Sequence, residues 1–140
     1  MAITEAQVET VVRDTEERMQ DPGFAQLAVA AFVQSQPILS QYLATRAARL
    51  GGESSVLHLI FHAHIVGECF HHSLGRDLGE VDLVTLDRAS QGDLLQRLAE
   101  REPAMASFVV SNTENVELRA ELARVGLAFS LLCARRGLRN

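Results

Sequence analysis

The sequence predicts an all-α protein, a single compact bundle of about six or seven helices. Three observations carry that reading. Apolar residues recur at helical spacing along the whole chain, each recurring run is bounded by residues that cap or break helices, and no stretch alternates long enough to make a strand. The segment LGEVDLVTL alternates only briefly, and its acidic residues suit helix starts. At 140 residues and 47% hydrophobic, the chain is long enough for one domain with one core, taken as residues 1–140.

Thr4 followed by Gln7 has the form of a capping box, and Val8, Val11, Val12 and Met19 then predict a first helix from Glu5 to Gln20. Asp21-Pro22 stops it and restarts the chain, since Asp caps well and Pro suits a first helical position. The second helix is predicted over Gly23–Gln34, with Phe24, Leu27, Ala28, Ala31 and Phe32 inward. Pro37 repeats the device and opens a helix that Gly51-Gly52 ends after Leu50. Ser54 or Ser55 caps the next helix, which runs over 54–74 to Gly75, where a left-handed C-terminal residue is wanted.

A loop over Arg76–Gly79 leads to a helix capped by Asp82 and running to about Gln91. Gly92-Asp93 restarts the chain for Leu94, Leu95 and Leu98; Glu102-Pro103 breaks it again before Met105, Phe108 and Val109. Asn112 or Thr113 opens the last helix, to about Arg136, with acidic first turns and a basic end that complement the helix dipole. From Val125 to Cys133 that helix is apolar all round except Ser130, which predicts burial.

The displacement that aligns Pro37 with Pro103 also brings Leu39 to Met105, Tyr42 to Phe108, Leu43 to Val109, Ala28 to Leu94 and Phe32 to Leu98. Each copy then leads into a long apolar helix. This suggests an internal duplication of 24–72 and 90–135, two three-helix halves around a pseudo-dyad with the long helices at the centre. The second half carries no histidine.

Composition narrows function. A net charge of −5 and pI near 5.5 argue against nucleic acid and acidic membranes as partners. All 13 basic residues are arginine, so chemistry built on a lysine Schiff base, a P-loop or a kinase-type lysine is excluded. Cys69 and Cys133 lie far apart behind a polar N-terminal stretch, which predicts a cytoplasmic protein with reduced thiols. The chain has no charge-free apolar run of the ~18 to 20 residues that a membrane span needs. The motifs G-x-S-x-G, G-x-G-x-x-G, C-x-x-C and H-E-x-x-H are absent.

The histidine-rich helix over 54–74 is the candidate site. It carries all five histidines. One arc holds Val56, Leu59, Ile60, Ala63, Val66, Phe70 and Leu74; the other holds His58, His62, His64, Glu68, Cys69, His71 and His72, with Leu57, Phe61 and Ile65 among them. Apolar nearly all round, it is predicted to be buried, where imidazoles and a carboxylate need partners. Glu68 and His71 form an E-x-x-H step on one face, and His58 with His62, His64 with Glu68, and Glu68 with His72 stand one turn apart. Over those four residues, 68–71, the stretch resembles a fragment of a ferritin-like di-iron site, but the second E-x-x-H of that family is missing. His62 and Cys69 are about 10.5 Å apart along the axis, too far for one ion, so a metal site needs ligands from another helix or subunit.

Two functions follow. The first is a non-enzymatic helical interaction or regulatory module, acting as a homodimer because two long apolar helices ask for more cover than the other helices offer, and with a protein as the further partner. The alternative is a metal-binding protein, a carrier, sensor or di-metal enzyme, holding Zn, Fe or Mn through Glu68, His71, His72, His64, His62 and His58. Cys69 with a neighbouring imidazole as nucleophile is a third chemistry that the spacing permits.

Overall fold

A computed structural model of the chain describes residues 2–137. Seven helices make up the described residues, and no strand occurs among them: α1 (Glu5–Arg18), α2 (Phe24–Ser35), α3 (Pro37–Leu74), α4 (Leu83–Ala89), α5 (Leu94–Arg101), α6 (Pro103–Asn112) and α7 (Val116–Arg135). No helix among them is long and apolar enough to cross a membrane.

The caps explain most boundaries. Thr4 Oγ1 accepts from Gln7 N at 3.1 Å while Gln7 Oε1 accepts from Thr4 N at 3.0 Å, the expected capping box. Asp82 caps α4 through Thr85 N, and Gly75 closes α3 in the left-handed region with its N–H on His71 O. Two starts move. Asp21 Oδ1 accepts from Gly23 N and so closes a local turn, which leaves Pro22 outside α2 and Gly23 as its cap. Thr113 is extended and donates its hydroxyl back to Val109 O, so α7 starts later than expected, on Asn115, which accepts from Glu117 N and Leu118 N. The first and fourth helices end at Arg18 and Ala89, two residues short of Gln20 and Gln91.

Gly51 and Gly52 break the helical backbone where the sequence places a helix end: both have non-helical φ/ψ, and α3 consists of two helical limbs, 37–50 and 53–74, joined there across a kink. Gly52 sits at φ +74°, ψ −156°, a conformation that a side chain resists.

The second limb of α3 and α7 form the centre. Phe70 and Phe129 meet with ring centroids 5.8 Å apart, and Phe32 of α2 stands edge-on to Phe129 at 6.4 Å. Residues 121–130 of α7 are buried on every side, as expected, under α3, α4, α5 and α6. The cover that motivated a homodimer is thus supplied, for α7, within one chain. The second limb of α3 departs from expectation: Leu59, Ala63, Val66, Cys69 and Phe70 are buried, while His58, Glu68, His71 and His72 are exposed. Its polar side stays open among the described residues, because α1 and α2 pack along its flanks.

Two turns of the chain are built alike. Gln36 and Glu102, each directly before a proline that opens a helix, share an unusual backbone (φ −133°, ψ 64° and φ −140°, ψ 75°) and are both buried. Gln36 Oε1 accepts from Val81 N at 2.8 Å, and Glu102 Oε1 accepts from Ile3 N at 2.8 Å. Val81 and Ile3 in turn stand directly before the capping residues Asp82 and Thr4. Gln36 therefore pins the start of α4, and Glu102 the start of α1. The two central helices share V-G-x-x-F: aligning Gly67 with Gly126 also aligns Leu59 with Leu118, Ala63 with Leu122, Val66 with Val125 and Phe70 with Phe129.

Candidate functional site

The six polar residues singled out on the histidine helix fall into two groups that face different neighbours. His58 and His62 point toward α6. Their rings lie 4.2 Å apart between centroids, His62 Nδ1 donates to His58 O at 2.8 Å, and His58 Nε2 reaches the carbonyl of Asn112 at 3.3 Å. His62 also packs near Phe108, at 6.3 Å between centroids. Burial pushes the His62 pKa down, the backbone bond to His58 O acting against it. Of the two imidazoles, His58 makes the hydrogen bond from α3 to α6, and His62 makes its own within α3.

His64, Glu68, His71 and His72 face the other way, into a groove of about 610 Å³ between α1, α2 and α3. Its other walls are Val11, Asp14 and Arg18 of α1 and Phe24, Leu27, Ala28 and Ala31 of α2. An adjoining hollow of about 430 Å³ shares Ala31, His64, Glu68 and His71 and continues past α2 to the segment 77–80. Leu27 and Ala31, expected to point inward, line this opening instead; Leu27 is 68% exposed, and only Ala28 and Phe32 of α2 are buried. A stripe that reads as one inward face spans two surfaces here, one against α3 and one beside the groove.

The charges in the groove are only partly satisfied. Arg18 pairs with Asp14 at 3.2 Å, and His71 Nδ1 lies 3.4 Å from Asp77 Oδ1. His64 is half-buried, and burial lowers its pKa; Glu68 one turn away opposes that shift and Arg18 adds to it. Cys69 does not join this face. It lies in the core, where burial, then the Glu68 charge, push its thiol up to about 12, so it is a packed thiol and not the nucleophile that its histidine neighbours suggested. Among the described residues no group of three or more His, Cys, Asp or Glu side chains is disposed to hold a metal ion.

The corresponding face of α7 is filled. By the V-G-x-x-F alignment His64, Glu68 and His71 match Ala123, Leu127 and Ser130, all buried in the core at 0%, 0% and 3% exposure. Leu98 of α5 sits so close to Gly126 that a Cβ there would stand 2.9 Å from its Cδ1, and Arg101 Nε donates to Ser130 Oγ at 2.9 Å. On α3 a Cβ at the matching Gly67 would meet only the Phe129 ring, at an ordinary contact distance of 3.5 Å.

Sequence reasoning missed a second polar cluster. Glu121, one of the acidic residues early in the last helix, is buried and accepts from buried Arg124 through both oxygens, at 3.1 and 3.2 Å. Arg46 lies 3.5 Å from the same carboxylate and donates to Tyr42 Oη at 2.7 Å, while both guanidinium groups stand over the Tyr42 ring. The i, i+3 spacing of Glu121 and Arg124 was the available signal, but on a helix it reads as a surface pair. No protein-family model, curated protein or solved structure matches the chain.

Proposed function

We propose that the chain is an internally duplicated, non-enzymatic interaction module whose docking surface is the groove between α1, α2 and α3. One observation carries the reading: two helices with the same apolar signature differ on one face, which is packed shut in α7 and polar and open in α3. A face kept open costs the burial that the other half enjoys, and such losses concentrate where function is served. The groove supports binding more than catalysis. Its side chains are apolar on the α2 side and hydrogen-bonding on the α3 side, the mix that recognition grooves use, and the buried Cys69 offers no nucleophile.

The test is titration with an uncharged apolar probe, N-phenyl-1-naphthylamine, followed by backbone amide shifts. Saturable changes confined to α1, α2 and residues 64–72 are expected. Changes spread over the surface, or none up to the solubility of the probe, would overturn the assignment.

A further inference from the structure

Resting on that reading of the groove, we infer that its occupant is a cationic amphipathic helix of another protein. The fold restricts the mode of recognition first. With no strand among the described residues there is no sheet edge on which an extended peptide can be added, so recognition runs through side chains laid into a groove. The walls suit a helix: α1 is 14 residues long, about 21 Å, which accommodates roughly four turns beside it. Ala28 and Ala31 leave room for close approach, and Phe24 and Leu27 offer apolar contact on the same side.

Charge then selects the sign. Among the residues lining the two adjoining hollows, Asp14, Glu68, Asp77 and Glu80 stand against Arg18, with the Arg136 guanidinium at the far edge over Gly79. Arg18 is engaged by Asp14, while Glu68, at the middle of the groove, has no hydrogen bond or ion pair among the described residues. An apolar helix flanked by arginine or lysine satisfies both surfaces at once; an acidic one meets like charge along most of its length.

The experiment uses the full chain at pH 8, where a histidine of ordinary pKa is neutral, and three labelled, end-blocked peptides of about 14 residues. They share one Leu/Ala stripe and differ in flanks of Arg, Gln or Glu. Exposed charge pairs shift affinity roughly two- to fivefold each, so the Arg peptide is expected to bind at least about tenfold tighter than the Gln peptide, and the Glu peptide least. Raising salt should erase most of the difference. Glu68→Gln should weaken the Arg peptide and leave the Gln peptide unchanged. Leu27→Arg, at an exposed site where folding is not at stake, should abolish both. Equal affinity of the Arg and Gln peptides overturns the charge assignment and leaves the groove reading standing. No peptide binding, while the uncharged probe still saturates the groove, overturns the helical occupant alone. A dimer in light scattering that Leu27→Arg dissociates identifies a second copy as the occupant and overturns the inference; failure of the uncharged probe as well removes the groove reading beneath it.

Discussion

Replacing His64, Glu68 and His71 together by the residues that α7 carries at the matching positions, His64→Ala, Glu68→Leu and His71→Ser, separates a functional polar face from a structural one. Ala in place of His gains up to about 0.7 kcal/mol in helix propensity, and Leu for Glu and Ser for His change little. His64 is half-buried without a hydrogen-bond partner among the described residues, so its removal also recovers part of a desolvation cost of roughly 1–3 kcal/mol. The side chain introduced by Glu68→Leu covers Ala31 and gains a fraction of the ~1.5 to 3 kcal/mol of a full leucine burial. Against this stands the exposed His71–Asp77 pair, worth at most about 1 kcal/mol. The triple variant should therefore be more stable by roughly 1–2 kcal/mol, a rise in Tm of roughly 3–8 °C for a chain of this size. Thermal unfolding by circular dichroism reads the shift, and the apolar-probe titration reads the groove. Higher stability with altered or lost binding is the expected pair of results. A fall of 2 kcal/mol or more would show that the three side chains hold the fold, and the inference from the unequal halves would collapse.

Further outcomes follow from other parts of the molecule. Because His62 and His64 titrate below the ordinary value of 6.5, the unfolded chain takes up protons first as pH falls; stability should be complete above that pH and decline below it, and the double variant His62→Gln, His64→Gln should flatten urea midpoints measured between pH 8 and 5.5. A profile unchanged by the double variant would reject burial as the cause. Glu121→Leu leaves Arg124 buried without its carboxylate and should cost about 3–5 kcal/mol, whereas Glu121→Leu with Arg124→Met should recover most of that loss in denaturant unfolding; equal losses in both would mean that Arg46 and Tyr42 carry the cluster. For the metal-carrier alternative, calorimetric titration of Zn²⁺ and Fe²⁺ must show binding that Glu68→Gln weakens roughly 10- to 100-fold. Background heat in wild type, or equal heat in both proteins, retires it.

The fold was legible because its rules are local. Thr4 with Gln7, Asp82, Pro37, Pro103 and Gly75 each act within one turn of where they stand, and each does in the structure what its type dictates. The errors arose where two local partners competed. Asp21 was free to cap α2 or to close a turn on Gly23, and Thr113 to cap α7 or to seal α6; sequence spacing weighs neither option. The site was half legible. Periodicity placed His64, Glu68 and His71 on one arc, but the same arithmetic placed His58 and His62 with them, since a helical wheel describes the face of one helix and not which neighbour covers it. Leu27 shows the same limit from the other side: an apolar residue in an inward stripe turned out to border an opening. Only the positions of α1 and α2 decide these cases, and those depend on contacts remote in sequence.

Fastenings elsewhere in the fold bear on how an open face is tolerated. Gln36 holds Val81, and Glu102 holds Ile3, so the starts of α4 and α1 are each anchored through a buried hydrogen bond from backbone to side chain. The core runs through Phe70 and Phe129, whose ring centroids stand 5.8 Å apart. The bond from Ile3 to Glu102 lies outside both hollows that carry His64, Glu68 and His71, whereas Gln36 lines the second of them. Changes on that face are therefore expected to add with changes at Glu102, without coupling, as independent sites do. Such a scaffold leaves the α3 face free to take the residues that a partner requires, while the matching face of α7, sealed by Leu98 and Arg101, holds the domain together.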